Sequence, residues 1–244
     1  MEIADIEKVE RKKGIASTVK ADDFIGQYSE GVARFLIDNK SMGDGWVQNV
    51  GSQLYNFSGK NKEGEVLGSS TDMCVAIATF TDIPLITGQQ LLELYNQARK
   101  KNLFGNVYID FGVQVNGFPK VNSIQAKLLI DEFKKRRIEV GEGVFPNFEQ
   151  LRLIADKDAG LAYKLTHDVK ELAPVSSYPF YNIGKNGLFR AYFDGNGTWH
   201  TSGVTLANSY DCGRLVRYDA EGVARKKLQK DLIATLTEDF RAKF

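Results

Sequence analysis

Cysteine and histidine are scarce in this chain of 244 residues, which contains two of each. Cys74 and Cys212 are too few for a disulfide scaffold or a cysteine-based zinc site. His167 and His200 share no metal-ligand spacing with each other or with a cysteine. We therefore expect neither a structural zinc site nor a bound cofactor.

An excess of charge and long apolar runs are also lacking. The chain has 32 cationic and 31 acidic residues, a net charge of +1, so contact with nucleic acid would have to come from local clusters. No stretch approaches about 18 apolar residues, and the first fourteen residues are charged throughout. These features predict a soluble, cytoplasmic protein without a membrane partner.

The overall composition is that of a globular protein, with 43% hydrophobic and 26% charged residues. The order of apolar periodicities predicts an α+β fold: a helix-rich body, a small mixed or antiparallel sheet, a late β-hairpin and a C-terminal amphipathic helix. We divide the chain into an N-terminal arm (1–21), a body (22–173) and a hairpin sheet with the final helix (174–244). We expect the last part to pack on the body as one compact unit.

The body is predicted to alternate helices with single strands. A helical face repeats from Asp22 to Asn39, and Asp22 is the expected cap. The apolar run Met73–Phe80 reads as a buried strand. A capping box of Thr87 and Gln90 opens the next helix. The remaining predictions are an ambiguous segment at Trp46–Phe57, a helix after Asn122 or Ser123 that ends at Arg137, and a helical region from Asn147 to about Leu172.

Residues Val107–Asn116 form the clearest strand pattern, with apolar and other side chains in strict alternation. This alternation predicts one face in the core. The other face would carry a polar row with Asp110 in its middle.

The segment Lys185–Gly222 gathers rare residues, among them His200 and Cys212. It reads as a strand Leu188–Phe193, a turn rich in Asp-Gly and Asn-Gly, and a strand Thr198–Leu206, because such dipeptides favour tight hairpins. A strand Arg214–Tyr218 follows. A helix from Ala220 to Arg241, with its apolar residues at four-residue steps, closes the chain.

Two catalytic hypotheses follow from this inventory. A thiol hydrolase would use Cys74 as nucleophile, His200 as base and Asp211 or Asp219 as orienting acid. Against it, Cys74 lies in an apolar run, where a cysteine more often serves as a small hydrophobic residue. Pairing His200 with Cys212 has no better support.

The second hypothesis is a metal site. Asp110, Asp194 and Asp219 lie on or at the ends of predicted strands, where carboxylates can converge on two metal ions. The same positions suit aspartates that only make local hydrogen bonds in turns.

Cations interleaved with aromatic residues suggest a different function. Phosphates of single-stranded nucleic acid are held by charge and its bases by stacking. The basic run at the predicted helix end can also be explained by the helix dipole. The candidate nucleic-acid-binding residues are Lys134, Lys135, Arg136, Arg137, Arg190, Arg214, Arg217 and Tyr192.

The sequence favours a non-catalytic interaction or assembly protein over an enzyme. We expect it to self-associate as a homo-oligomer and to contact nucleic acid through its basic and aromatic surface. The alternative is a metal-dependent phosphodiester hydrolase that uses the strand-end carboxylates.

Overall fold

Both helices and strands make up the described part of the chain, as the predicted α+β class requires. The computed structural model describes residues 9–11, 14–56, 66, 68–98, 107–116, 124–182, 187–194, 197–202, 206–207 and 209–219. The predicted C-terminal helix and the first eight residues lie outside this part. None of the described helices is long and apolar enough to span a membrane.

Five α-helices lie among the described residues: α1 (Ile25–Asp38), α2 (Asp44–Tyr55), α3 (Thr71–Phe80), α4 (Gly88–Ala98) and α5 (Ile124–Arg136). Helix α1 confirms the first predicted helix, although Asp22 lies in a 3-10 turn before it rather than at its cap. The capping box of α4 is present, since the Thr87 and Gln90 side chains each accept a hydrogen bond from the other's backbone N–H. Of the ambiguous segment Trp46–Phe57, residues 46–55 belong to α2, and Phe57 lies outside the described residues.

Twelve strands form three sheets among the described residues. The strands are β1 (Val9–Arg11), β2 (Gly14–Thr18), β3 (Tyr108–Asn116), β4 (Val144–Phe145), β5 (Leu151–Asp156), β6 (Gly160–Leu165), β7 (Ala173–Pro174), β8 (Phe180–Asn182), β9 (Gly187–Asp194), β10 (Trp199–Ser202), β11 (Gly213–Arg214) and β12 (Val216–Asp219). The large sheet has the order β7-β4-β3-β9-β10-β8, with β11 paired to β3. The other two sheets are β1-β2-β12 and β5-β6.

The predicted strand Met73–Phe80 is wrong, because these residues belong to helix α3. Ser70 caps this helix, its hydroxyl accepting a hydrogen bond from the backbone N–H of Met73 at 3.2 Å. The helix is buried on nearly all sides. A helix enclosed in this way shows no polar stripe, so its apolar run resembles a buried strand.

The predicted helix from Asn147 to Leu172 is also wrong. Asn147 and Gln150 do form a capping box, but it opens only a three-residue 3-10 turn. The chain continues as the antiparallel hairpin β5–β6, and the Asp156 carboxylate accepts from two backbone N–H groups of its turn. Over so short a distance, the spacing of the leucines fits both the helical and the strand period. The hydrogen bonds that Asp156 accepts in the turn therefore determine that the chain forms a hairpin.

The large sheet joins strands from the predicted body and the predicted hairpin region. Strand β3 pairs antiparallel with β9, and β9 continues into β10 as the expected hairpin. Near the N-terminus, β2 is hydrogen-bonded to β12, so residues 14–18 of the predicted arm lie against the same chain. The division of the chain into three parts stays a prediction.

Strand β3 differs from its predicted pattern in one important respect. Phe111 is an extra residue between the pairs Asp110–Tyr192 and Gly112–Ala191, which makes a β-bulge. The bulge exchanges the two faces of the strand, so that Asp110 and Val113 share one face while Phe111 and Gln114 share the other. Both faces are buried from Tyr108 to Val115. The predicted continuous polar row is therefore wrong.

Candidate functional site

A buried ion pair between strands β3 and β9 forms the centre of the candidate site. Arg190 Nε and Nη2 donate to the two carboxylate oxygens of Asp110, the second at 2.8 Å. Ser69 Oγ donates to the same carboxylate at 2.8 Å, and the Ser69 carbonyl accepts from Arg190 at 3.1 Å. Both charged side chains are almost fully buried. We call Ser69, Tyr108, Asp110 and Arg190 the polar cluster.

The charges in the polar cluster compensate each other. Burial raises the pKa of Asp110, against which the hydrogen bonds and charge of Arg190 act to lower it. Burial lowers the pKa of Arg190, but the hydrogen bond and charge of Asp110 raise it to a net value above the ordinary one. Arg190 therefore remains positively charged, and the nearest carboxylate, that of Asp110, is already paired with it.

Tyrosine rings enclose the Arg190 guanidinium. Its central carbon lies 4.4 Å from the ring centroid of Tyr108 and 5.1 Å from that of Tyr192, within the range of cation–π attraction. Tyr108 Oη donates to the Ser69 carbonyl at 2.8 Å and accepts from the backbone N–H of Tyr210 at the same distance. The loop before β11 is thereby tied to the loop before α3.

The polar cluster reaches the surface through a series of four rings. Tyr210 meets Tyr108 edge-on at 6.2 Å between centroids, and Tyr108 meets Tyr192 edge-on at 5.9 Å. His200 stacks on Tyr192 at 5.2 Å with 21° between the planes. Tyr210 is 57% exposed. We call Tyr192, Asp194, His200 and Tyr210 the aromatic rim.

An imidazole–carboxylate pair lies at one end of the aromatic rim. His200 Nε2 is 2.8 Å from Asp194 Oδ2, and both side chains are about one quarter exposed. The other oxygen of Asp194 accepts from the backbone N–H of Thr198 at 3.0 Å. Asp194 therefore holds both the hairpin turn and the orientation of the His200 ring.

The predicted nucleophile Cys74 is enclosed in α3. Cys74 is fully buried. This burial and the negative charge of Asp110 raise the pKa of its thiol well above the ordinary value. A thiolate is the nucleophilic form, so this environment suppresses its reactivity. Nearby, Tyr163 Oη donates to Asp72, whose carboxyl pKa is raised by burial.

We predict that Cys74 reacts with a thiol reagent such as DTNB only after the protein unfolds, because its thiol is both inaccessible and protonated. The measurement is reagent-accessible thiol content in native and denaturing buffer for the Cys212→Ser variant, in which Cys74 is the sole thiol. The Cys74→Ser variant serves as the control for Cys212. Rapid native reaction of Cys74 would restore it as a candidate nucleophile.

The predicted carboxylates are distributed over different parts of the structure. Asp110 is bound by Arg190 and Ser69, whereas Asp194 pairs with His200. Asp219 ends β12, in a different sheet, and Asp211 lies in the loop before β11 with its carbonyl accepting from Arg214. Among the described residues, no three metal-ligating side chains converge on a common point.

The predicted basic residues occupy three kinds of environment. Arg190 and Arg214 are buried, and Arg214 donates to the Asp211 and Gly213 carbonyls at 2.8 Å. Arg217 pairs with Asp23 at 3.3 Å. Arg136 pairs with Glu132 and donates to the carbonyls of Leu165, at the end of β6, and of Val169, so it fastens α5 to that strand. Three residues are exposed at the end of α5: Lys134, Lys135 and Arg137.

Sequence reasoning missed three contributors to this site. Ser69 precedes the run Ser70–Thr71–Asp72, a helix-start signal that would have placed α3 and its preceding loop. Tyr108 lies on the polar side of the predicted strand, where the alternating pattern could have indicated it as a site residue. For Tyr210 no local pattern indicates a role, because its position follows from the long-range contact with Tyr108.

Comparison with known proteins identified no relative of this chain. No protein-family model, curated protein or solved structure matches the chain.

Proposed function

We propose that this is a non-catalytic binding protein that contacts single-stranded nucleic acid through the aromatic rim. The observation that carries the proposal is the exposed ring of Tyr210, joined through Tyr108 to the Tyr192–His200 stack. Nucleobases stack on such rings whatever their sequence.

Preorganisation supports this role for the aromatic rim. Tyr192 is contacted by both the Arg190 guanidinium and the His200 ring. The backbone of Tyr210 is held by the Tyr108 hydroxyl. A base that stacks here meets rings whose positions are already determined, which lowers the entropic cost of binding.

Phosphate contacts would have to come from exposed cations. Lys134, Lys135 and Arg137 are exposed at the end of α5, whereas Arg190 and Arg214 are engaged inside the protein. We therefore propose that these three residues contact the phosphates, and that the buried arginines only hold neighbouring groups in position. Binding through them should weaken as salt concentration rises.

The test is fluorescence anisotropy with labelled dT20, dA20 and a duplex of the same length at two salt concentrations. We expect Tyr210→Ala to weaken single-strand binding about tenfold, since base stacking contributes about 1–3 kcal/mol per base. Tyr55→Ala is the matched control, because Tyr55 is also an exposed tyrosine, at 51%, on α2. Absence of salt-sensitive binding, or equal losses in both variants, contradicts the proposal.

Self-association and a cytoplasmic location stay predictions from the sequence. The hydrolase alternative gains no support, because Asp110 is paired with Arg190, Asp194 is hydrogen-bonded to the His200 imidazole, and Asp219 lies in another sheet.

A further inference from the structure

An aromatic cluster covers the face of the large sheet opposite the polar cluster. Its rings belong to Phe111, Phe145, Tyr178, Phe180 and Trp199. Phe111 contacts the other four, at centroid distances from 4.9 Å to Trp199 up to 6.4 Å to Tyr178. Ile109 and Phe111 both lie on this face, and the bulge brings Gln114 rather than Val113 to it.

Two buried polar groups on this face have no hydrogen-bond partner among the described residues. Gln114 is fully buried, and both its carboxamide oxygen and its nitrogen are unpaired. Trp199 is 2% exposed, and its indole N–H is likewise unpaired. Unpaired buried polar groups are rare because they lose their bonds to water without replacement, so each one calls for an explanation.

Gln114 borders the aromatic cluster through Phe145. Strand β3 pairs with β4 at Val115–Val144 and meets Asn147 at Gly112, a register that places Gln114 directly opposite Phe145. Side chains opposite each other on adjacent strands are in contact range. The Tyr178 ring lies on Phe145 at 4.9 Å and stacks on Trp199 at 5.9 Å with 30° between the planes. The Tyr178 ring thus contacts both Trp199 and the residue opposite Gln114.

Tyr178 is the member of the aromatic cluster that can leave most easily. It lies between the 3-10 turn Val175–Ser177 and Pro179, outside every strand, so its side chain can rotate without breaking a strand ladder. The ring is only half-buried. Opposite it, a Cβ at Gly88 would come within 2.8 Å of the Tyr178 ring, so the glycine makes room for one flat ring at this place.

We propose that a planar heteroaromatic small molecule with both hydrogen-bond donors and acceptors binds in the place of the Tyr178 ring. Its ring would contact Phe145 and approach Trp199 at the edge of the indole, where an acceptor lying in the indole plane can take the Trp199 N–H. An amide-like edge on the other side of the molecule would pair with both atoms of the Gln114 carboxamide. Nucleobases and carboxamide-bearing pyridines have this chemistry.

This site is separate from the aromatic rim, which lies on the other face of the sheet. Phe193 and Trp199 are cross-strand partners on the aromatic face, whereas Tyr192 and His200 are partners on the opposite face. A mutation on one face can therefore be used as the control for binding to the other.

The experiment is isothermal titration calorimetry with adenosine, guanosine and nicotinamide, with indole as a planar probe that lacks an acceptor. We expect a heteroaromatic probe to bind the wild-type protein and to bind Gln114→Met at least about tenfold more weakly, because a site built for a hydrogen bond rejects its loss. Tyr178→Ala should bind the same probe more tightly. Tyr210→Ala should bind it with unchanged affinity.

A thermal melt provides a check that is independent of binding. Without ligand, Gln114→Met should melt several degrees higher than the wild type, because an unpaired polar group is replaced by an apolar one of similar size. A lower melting temperature would show that the carboxamide is already paired and would overturn the proposal. Binding of no probe, or equal binding by wild type and Gln114→Met, would also overturn it.

Discussion

Replacing Arg190 with methionine is expected to lower the free energy of unfolding by about 3–5 kcal/mol, because it leaves the Asp110 carboxylate buried without its cation. Among the described residues, Ser69 would remain as its one side-chain hydrogen-bond donor. The measurement is urea-induced unfolding. Arg34→Met is the matched control, since the Arg34–Glu30 pair is solvent-exposed and its loss should cost about 0–1 kcal/mol.

The destabilisation of Arg190→Met should depend on pH in a defined direction. Burial already raises the pKa of Asp110, and removing Arg190 abolishes the largest contributions that lower it. In the variant, the unfolded chain loses this proton near its ordinary pKa of about 4, while the folded chain retains it to higher pH. Stability relative to wild type should therefore fall as pH rises from the pKa of Asp110 in the folded wild type to its higher pKa in the folded variant.

A double variant separates loss of the pair from exposure of a lone charge. Asp110→Leu with Arg190→Met removes both charges and should recover much of the loss in the single variant. If Arg190→Met alone costs no more than Arg34→Met, Asp110 is not buried as described.

The second large effect is expected for Phe111→Ala, which should lower the free energy of unfolding by about 3–5 kcal/mol. Phe111 is fully buried and contacts four other rings, so its removal leaves a void that the sheet prevents from closing. Chemical denaturation measures this loss. Phe111→Leu keeps most of the volume and should cost less than about 1.5 kcal/mol. Equal losses for the two variants would mean that volume at Phe111 does not determine stability.

Long-range pairing, rather than local pattern, limits how much of this fold is predictable from the sequence. Strand β3 and the β9–β10 hairpin were predictable because alternation and Asp-Gly or Asn-Gly turns are local signals. Helix α3 has a local start signal at Ser70–Thr71–Asp72, but it was missed because its enclosure by segments distant in sequence leaves it without a polar stripe. The hairpin β5–β6 was missed because helical and strand periods coincide over a few leucines.

The sequence indicated several residues of the candidate site but did not indicate how those residues are arranged. Asp110, Arg190, Tyr192 and His200 were all singled out from their residue types. Their pairing was not, because it depends on the register between β3 and β9. That register converts Arg190 from an expected surface contact into a buried anchor.

The extra residue in β3 is an insertion that leaves the pairing on either side of it in register. Deleting Phe111 would restore uninterrupted alternation along the strand, because the pairs Asp110–Tyr192 and Gly112–Ala191 would become adjacent. Val113 would stay opposite Arg190, and Gln114 would stay on the face of the aromatic cluster. The inserted residue therefore adds one ring to the aromatic cluster without changing which other side chains of β3 and β9 meet.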